Sequence, residues 1–559
     1  MGLVARLAAG LAPRLAARLA AGLAALIAAA IVAAPAAADD TDAFFRRGEI
    51  PTIEIVLEPA SAESLRNEPR TYARCAIVVD GKPAAERAGI KLKGAAGSFQ
   101  SFDERPGFTV HLGKFEGDAR FHGMRKFHLN NAVQDPTYLS EWTASSILRE
   151  ARVPATRVSH ARVRIAVGAA GAADATTRDM GLYVFKEAFD EAFLARHFRN
   201  ADGNLYDGGF CQDIDADLER DEGKGEETRA DLRALAETCR DPDMKSRWKR
   251  LEQLVDVPDF VRFLALEAML GHWDGYAFNS NNYRLYFEPS KGARFIPHGM
   301  DQCFQDPGMS VLDMPRALVA SSVLKNPEWR SDYRKAIARL LPEFDPARLM
   351  KRLEPVQARV QEALRAHSPE AAAAQAEAAN AFAERLAARA RSLAEQRSAP
   401  EPKPLVFRTG AAVAIRGFHG MSEVEDANVE EIDENGARWY RVTAGPSGRC
   451  IAGFRRGVLL ERGRYRLEAF VRTDGVVPLE HAADEGAPGT GAGIRTSGAT
   501  RGEGATGGGE RAMGVEFDVT EATADVELVL ELRAKAGTAM WRADSITLTR
   551  VRERKPRGD

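Results

Sequence analysis

The alternation of apolar and polar residues predicts a series of strands in the first third of the chain. Between residues 50 and 58 every second side chain is apolar, which is typical of a strand that buries one face. One helix, 138–151, has apolar residues at helical spacing, and Pro154 follows its end. The period-two pattern predicts further strands on either side of this helix, at 73–79, 89–93, 108–112, 126–130 and 158–167.

Helical spacing replaces this alternation from residue 189 onward. The segment 258–271 is a strongly apolar helix, and Pro258 suits its first turn. Residues 342–396 are rich in Ala, Arg and Glu, and Ser368-Pro369 is expected to break them into a helical hairpin. Strands with one helix, followed by mostly helices, is the order of a two-lobed α+β domain.

The pattern returns to period two after residue 400. A Pro-rich segment, 398–404, predicts a stiff linker. Residues 405–552 are expected to form a separate all-β domain, because strand-like alternation recurs at 440–443, 463–472, 524–533 and 545–549. This domain resembles the jelly-roll carbohydrate-binding modules that are appended to secreted enzymes. A sandwich that binds only its neighbour is the alternative, since a fold does not fix a function.

Residues 1–38 have the pattern of a secretory signal peptide. Basic residues precede an apolar run, 20–34, and Ala36-Ala37-Ala38 provides small side chains before a cleavage point at Asp39. The apolar run is shorter than the roughly 20 residues of a membrane span, although an uncleaved anchor stays the alternative. The mature protein is therefore expected to be secreted or at the cell surface, with no membrane segment after cleavage.

Composition and cysteine usage narrow the classes of function. The formal net charge is only −3 over 559 residues, so no global field favours nucleic acid as a partner. The five cysteines include no CxxC pair, which argues against a structural zinc site. An exported protein can keep disulfides, and Cys211 and Cys239 bracket one highly charged insertion. We expect a Cys211–Cys239 disulfide, and the odd count leaves at least one other thiol unpaired within the chain.

The strongest chemical pattern follows the apolar helix 258–271. Asp274 is followed five residues later by Asn279, and a second acid, Asp301, comes after two short predicted strands. Protein kinases place a catalytic base, a metal-binding Asn and a metal-binding Asp in this order and at similar spacing. The same residues would also suit a polar loop that caps a buried helix, with Asn and Asp serving its turns.

Several segments in the same order resemble the spore-coat-protein-H (CotH) kinase family, atypical kinases of secreted and coat proteins. The resemblance covers roughly residues 48 to 345. It is carried by IKLKG (90–94), FHGMRKFHLNN (121–131), DP (135–136), GLY (181–183), GNLY (203–206), GHWDGYAFNSNNY (271–283) and PHGMDQ (297–302). It implies that ATP and Mg²⁺ are the cofactors, that Asp274 is the base or orients the hydroxyl, and that Asn279 and Asp301 are Mg²⁺ ligands.

A phosphate-binding loop is predicted after the strand 89–93. Gly94, Gly97 and Ser98 are small enough for backbone N–H groups to approach phosphate oxygens. The family usually has more Ser or Asn in this loop, and Ala95 and Ala96 depart from that pattern.

A kinase also needs a cation on the phosphates, oriented by an acid. Lys126 with Glu141 on the following helix is the predicted pair, and Lys93 is the rival lysine. Family members often carry a lysine in the strand equivalent to 108–112, which has none here and reads Thr109 near its start. If that lysine is essential, the protein is a pseudokinase.

These patterns predict a protein with a catalytic part and a targeting part. The expected order is a two-lobed atypical protein-kinase-like domain (39–345), a helical extension (346–397), the linker and a jelly-roll-like sandwich. The expected function is an exported ATP- and Mg²⁺-dependent kinase that phosphorylates Ser or Thr of secreted or surface proteins. The alternative is a non-catalytic surface or matrix protein whose β-domain binds polysaccharide or another protein.

Overall fold

The computed structural model describes residues 36–551 with some exceptions. The stretches outside the described residues are 116, 169–175, 226–227, 401–402, 409, 423, 425, 435, 480–490 and 500–503. The predicted signal peptide also lies outside them, apart from 36–38, which begin helix α1 (Ala36–Arg47). The chain divides between Ala399 and Pro400 into two compact units, the first unit and the second unit. Within the described residues, no helix has both the length and the apolarity needed to cross a bilayer.

The N-terminal strands of the first unit close into a barrel. Its neighbour order is β1-β2-β3-β4-β5-β7-β6, and β6 closes the barrel by pairing in parallel with β1. The strands are β1 (Thr52–Leu57), β2 (Ala73–Val79), β3 (Lys82–Lys93), β4 (Gly107–His111), β5 (Lys126–Asn130), β6 (Val158–Val167) and β7 (Thr176–Glu187). Alternate side chains such as Ile53, Ile55 and Leu57 are fully buried, as the period-two pattern predicted.

Helices and a second, four-stranded sheet form the rest of the first unit. That sheet has the order β11-β10-β8-β9, and its strands are β8 (Leu205–Asp207), β9 (Arg220–Glu222), β10 (Tyr283–Glu288) and β11 (Gly292–Pro297). The helices after α1 are α2 (Pro59–Asn67), α3 (Ser140–Glu150), α4 (Glu191–His197), α5 (Ala230–Arg240), α6 (Met244–Leu254), α7 (Val257–Met269), α8 (Tyr276–Asn279), α9 (Leu318–Leu324), α10 (Pro327–Leu340), α11 (Pro346–Arg365) and α12 (Pro369–Ser398). The predicted helical hairpin is present as α11 and α12, and Ser368 caps α12 by accepting a hydrogen bond from the Ala371 N–H at 3.1 Å.

Helix α12 is fastened to the apolar helix α7 by one buried arginine. Arg389 is fully buried and donates hydrogen bonds to the carbonyl oxygens of Ala268 (2.7 Å) and Met269 (3.0 Å) at the end of α7. It also donates to Pro307 O at 3.0 Å and Met309 O at 2.5 Å. The last carbonyls of a helix have no partner within it, so Arg389 satisfies them where water cannot reach. The hairpin therefore shares one core with α7.

The second unit consists of strands around its own apolar core. An eight-stranded sheet follows the path β12-β19-β16-β18-β15-β14, with β13 paired to β16 and β17 to β18. Its strands are β12 (Ala412–Ala414), β13 (His419–Ser422), β14 (Asn428–Glu434), β15 (Ala437–Thr443), β16 (Cys450–Pro478), β17 (Gly491–Thr496), β18 (Gly509–Arg542) and β19 (Thr547–Val551). The chain is thus a mixed α and β protein, as predicted, while the jelly-roll topology and the two kinase-like lobes stay predictions.

We expect Arg389→Ala to destabilise the first unit by about 3–4 kcal/mol, because it leaves buried carbonyls without donors and opens a cavity. Chemical denaturation followed by far-UV circular dichroism measures this change. Arg391→Ala, an exposed arginine on the same helix, is the matched control and should change stability by less than about 0.5 kcal/mol. An equal effect of the two substitutions would show that the buried contacts contribute nothing.

Candidate active site

One cleft of about 640 Å³ in the first unit gathers most of the residues that the sequence singled out. The lining residues among them are Lys93, Gly94, Ser98, Lys126, Asp274, Asn279 and Asp301. Barrel strands and the segment after β3 supply the lysines and the glycine-rich loop, while the segments after α7 and β11 supply the acids and the amide. A larger cavity of about 1000 Å³, between α6, α7, the β10–β11 hairpin and α10, contains none of the predicted site residues.

A buried carboxyl group, that of Glu267, fixes the loop that carries Asp274. Glu267, near the end of α7, accepts hydrogen bonds from the Tyr276 and Ala277 N–H groups, both at 2.8 Å. These two N–H groups begin the short helix α8, so Glu267 fixes the chain just after Asp274. A Cβ atom at Gly275 would lie 2.3 Å from a Glu267 oxygen, which explains the glycine. Burial raises the pKa of Glu267 to about 8.

Three side-chain amides hold the Asp274 carboxylate. Asn279 Nδ2 donates to Oδ1 at 2.6 Å, and Asn281 and Asn282 donate to Oδ2 at 3.0 and 2.7 Å. Asn282 also donates to the Asp274 carbonyl oxygen at 3.1 Å and has a φ of +48°, a left-handed conformation that Asn tolerates. Neither Asn281 nor Asn282 was among the predicted site residues. The spacing of the amides along the loop was visible, but not their convergence on one carboxylate.

Asp301 lies on a 3-10 turn, Met300–Gln302, that follows β11. The turn is tied to the Asp274 loop, because His272 donates from Nε2 to His298 O at 2.8 Å and His298 N–H donates to Asn282 O at 2.8 Å. It is tied to α3 as well, since the Ser140 hydroxyl donates to Met300 O at 2.9 Å. Burial, together with the negative charge of nearby Glu141, raises the pKa of Asp301.

The predicted pairing of Lys126 with Glu141 is wrong. Lys126 forms an ion pair with Asp221 at 3.3 Å, whereas Glu141 is paired with Lys186 on β7. The side chains of Glu141 and Lys186 are each only 1% exposed. Burial opposes ionisation of Glu141, but the charge and hydrogen bond of Lys186 outweigh it and lower its pKa. A signal for Lys186 was present, because a lysine inside an apolar strand must find a partner when it is buried.

Lys93 lines the cleft and lies close to this buried pair. Its Nζ donates to Asn130 Oδ1, and Asn130 Nδ2 donates to Glu141 Oε2 at 2.9 Å. Burial, and secondarily the charge of Lys186, lower the pKa of Lys93 to about 8. Lys93 is thus connected to Glu141 through one amide rather than by a direct ion pair.

The glycine-rich loop after β3 folds back over the cleft. Gly94 and Gly97 have φ values of +114° and +79°, which favour glycine. A Cβ atom at Gly97 would lie 2.5 Å from Nε2 of Gln134, so this position is close to the wall although it does not line the cleft. The Ser98 hydroxyl accepts a hydrogen bond from the Ala95 N–H at 3.1 Å, which closes the loop on itself.

Thr109 lies on β4, the strand for which the resemblance implies a lysine in many family members. It lines the cleft, is buried, and its hydroxyl lies 3.1 Å from His128 Nδ1 on the neighbouring strand. Burial and the surrounding cations lower the pKa of His128 well below its usual value, so its ring is neutral. This wall of the cleft therefore presents a hydroxyl and a neutral ring, in keeping with the absence of a lysine from the strand.

The predicted Cys211–Cys239 disulfide is also wrong. Both thiols are free; Cys211 is exposed beside the cleft, whereas Cys239 is buried on α5. The acidic insertion between them is anchored differently. Asp213 accepts hydrogen bonds from the Ser280 hydroxyl at 3.1 Å and the Leu318 N–H at 2.7 Å, which ties the insertion to the Asp274 loop.

The residues present fit a magnesium ion. Among the side chains that the structure describes, no three His, Cys, Asp or Glu residues form a metal-binding cluster. Magnesium bound with a nucleotide, however, commonly takes only one or two protein ligands plus phosphate oxygens. The Asp301 carboxylate and the Asn279 amide oxygen are hard oxygen donors on the cleft wall. The Asn279 NH₂ group faces Asp274, which leaves the oxygen for a cation.

We expect stability to depend on pH through Glu267. The folded pKa of Glu267, about 8, lies above the unfolded value. The protonated side chain therefore contributes fully to the free energy of unfolding below about pH 4.5, and this contribution is lost as the pH rises toward 8. Glu267→Gln does not titrate, so the wild-type advantage over this variant should shrink by about 3 kcal/mol between pH 5 and 8. Denaturant unfolding at both pH values measures it. Glu237→Gln, an exposed position on α5, should show no such change, and a constant difference for Glu267→Gln would contradict the prediction.

We expect Lys186→Met to destabilise the first unit by about 3–5 kcal/mol, because it leaves the Glu141 carboxylate buried without its cation. Adding Glu141→Gln should restore part of this loss, and a double-mutant cycle from denaturant unfolding gives the coupling energy. Lys335→Met removes an exposed ion pair with Asp332 and is the control, with an expected change below about 1 kcal/mol. Strict additivity of the two core substitutions would show that the pair is not coupled.

Comparison with known proteins gives one extended match, to a protein family, and several short ones, to solved structures. No curated protein matches the chain. An alignment with the tailspike protein 4 enzymatically active domain of bacteriophage CBA120 covers 24% of this chain and 19% of that one, at 9% identity and a TM-score of 0.18. One with TmCBM61 in complex with beta-1,4-galactotriose covers 24% of this chain and 88% of that one, at 15% identity and a TM-score of 0.15. Neither score establishes a shared fold.

The extended match is to a protein family and includes every cleft residue named above. The family described as CotH kinase protein matches residues 90–392, which is more than half of the 559 residues. The matched range begins within β3, just before Lys93, and ends in α12, just after Arg389. The chain therefore belongs to the CotH kinase protein family.

Proposed function

We propose that this protein is an ATP- and Mg²⁺-dependent kinase that phosphorylates Ser or Thr hydroxyls of exported proteins. The observation that carries the proposal is the convergence of Asp274, Asn279, Asp301 and Lys93 on one cleft. Membership of the CotH kinase family supports a phosphoryl-transfer chemistry for that cleft. The substrate class and the site of action come from the sequence alone.

Asp274 is suited to receive the proton of the acceptor hydroxyl. Its two oxygens are oriented by the amides of Asn279, Asn281 and Asn282, which are neutral and leave its negative charge in place. In the proposed step the acceptor oxygen bonds to the terminal phosphorus of ATP, the bond from that phosphorus to the bridging oxygen breaks, and ADP leaves. The hydroxyl proton passes to Asp274.

Other groups in the cleft are suited to hold the phosphates. ATP supplies the phosphoryl group, and Mg²⁺ would offset its negative charge. Asp301 and the Asn279 amide oxygen would hold the metal ion, while Lys93 and the N–H groups of the glycine-rich loop would contact phosphate oxygens. The Lys186–Glu141 pair lies behind Lys93, so it is assigned a positioning role rather than contact with the nucleotide.

The proposal also assigns roles to the second unit and to the predicted signal peptide. A secretory signal at 1–38 would bring the protein to its substrates outside the cell, and an all-β unit can raise the local concentration of a linked catalytic unit near a surface. Polysaccharide or a surface protein is the ligand class that the sequence favours for this unit.

We expect Asp274→Ala to reduce transfer of labelled phosphate from ATP by about a hundredfold or more, because the proton acceptor is removed. Asp301→Asn should instead weaken Mg²⁺-dependent ATP binding, measured by calorimetry. Asp217→Ala is the control, since Asp217 is an exposed residue paired with Arg229 on the surface.

Two results would contradict this assignment in different ways. Equal phosphate incorporation by the wild type and Asp274→Ala would remove Asp274 from the chemistry. Absence of Mg²⁺-dependent ATP binding at millimolar concentration would favour the non-catalytic alternative, to which Thr109 in place of a lysine already points.

A further inference from the structure

Exposed large apolar side chains of the first unit are concentrated around the mouth of the cleft. In the described part of this unit they are Phe99, Val133, Phe210, Trp273 and Met350. Phe210 and Trp273 line the cleft itself, at 59% and 46% exposure. Phe99 and Val133 are chain neighbours of two further lining residues, Ser98 and Gln134. We call these four residues, without Met350, the apolar rim.

The rim has two sides. Phe99 and Val133 lie on segments that contact each other, because Asn131 Nδ2 donates to Ser98 O at 3.0 Å. The Arg70 guanidinium stacks on Phe99 at 4.7 Å from the ring centre, which fixes that ring at the edge of the cleft. Phe210 and Trp273 come from the insertion after β8 and from the Asp274 loop.

The second side of the rim adjoins the group that would receive the acceptor proton. Trp273 directly precedes Asp274 in the chain. Phe210 directly precedes Cys211, whose sulfur lies 3.6 Å from Asn279 Nδ2. In an extended peptide, successive residues are about 3.3 Å apart, so the neighbours of a hydroxyl placed at Asp274 would fall within reach of these rings.

Several of the polar groups on this side are already engaged within the protein. The three Asn amides donate to Asp274, Asp213 caps the segment at Leu318, and Asp215 is paired with Arg240. A basic segment or a sugar would need such groups to bind its charges or hydroxyls. What the rim offers instead is apolar surface, and solvent-exposed aromatic side chains at one location commonly mark a binding site.

We propose that the apolar rim binds the acceptor, and that the acceptor is an extended peptide whose Ser or Thr is flanked by apolar side chains. This proposal rests on the phosphoryl transfer proposed above, but binding to the rim can be measured without ATP. The rim therefore sets which hydroxyl-bearing segments reach Asp274.

The test uses the full-length protein and ten-residue peptides with one central Ser. One peptide carries Leu and Phe beside the Ser, and the others carry Ala, Asp or Arg at the same two positions. A β-1,4-linked galactotriose is a further probe. Calorimetry without nucleotide should show that the apolar peptide binds about tenfold tighter than the Ala peptide. Phe210→Ala should remove most of this preference, whereas Met350→Ala, an exposed apolar residue outside the rim, should not change it.

Kinetics separates the rim from the chemistry. If the peptides are phosphorylated, Phe210→Ala should raise KM for the apolar peptide about tenfold with a smaller change in kcat. Apolar preference without any phosphoryl transfer would support the rim and contradict the kinase. Transfer to all peptides alike, equal affinity for them, a response to galactotriose alone, or equal effects of Phe210→Ala and Met350→Ala would each overturn the rim proposal.

Discussion

The cleft depends on one buried ion pair. Taking two charges out of water costs several kcal/mol for each ion, so Lys186 and Glu141 are tolerated only with full hydrogen bonding. Glu141 achieves this by accepting from Lys186, from Asn130 at 2.9 Å and from the Met300 N–H at 3.2 Å. These donors belong to β7, to β5 and to the turn that carries Asp301. One carboxylate thus joins the barrel, helix α3 and the second acid of the candidate site.

The position of the Glu141 carboxylate depends on a second buried acid, Asp135, just before α3. Asp135 accepts hydrogen bonds from the Ser140 N–H at 3.0 Å and the Thr137 N–H at 3.1 Å, just before α3 begins. Burial raises the pKa of Asp135 to about 7, as burial also raises that of Glu267. Three buried acids thus fix segments next to the cleft: Asp135, Glu141 and Glu267. Each makes its hydrogen bonds to protein groups, away from water.

Local sequence patterns predicted which residues belong to this site. Which side chains pair with one another depends on tertiary contacts. The strands around Lys93 and Lys126 follow from period-two alternation, and Asp274, Asn279 and Asp301 follow from motif spacing. The partner of Glu141 could not be read from chain order, because Lys186 reaches it from a strand that adds to the barrel beside β5. The disulfide prediction failed for a related reason: the position of both cysteines beside one insertion did not reveal that Cys239 is buried in a helical core while Cys211 is exposed.

The three amides around Asp274 have a consequence for how the site responds to its medium. Many catalytic carboxylates are oriented by a cation, whose hold weakens as dissolved ions screen it. Here the orienting groups are uncharged dipoles in direct contact, and short-range hydrogen bonds of this kind are nearly indifferent to screening. The export proposed above would expose the protein to media of widely varying ionic strength. The orientation of the Asp274 carboxylate would be the same in all of these media.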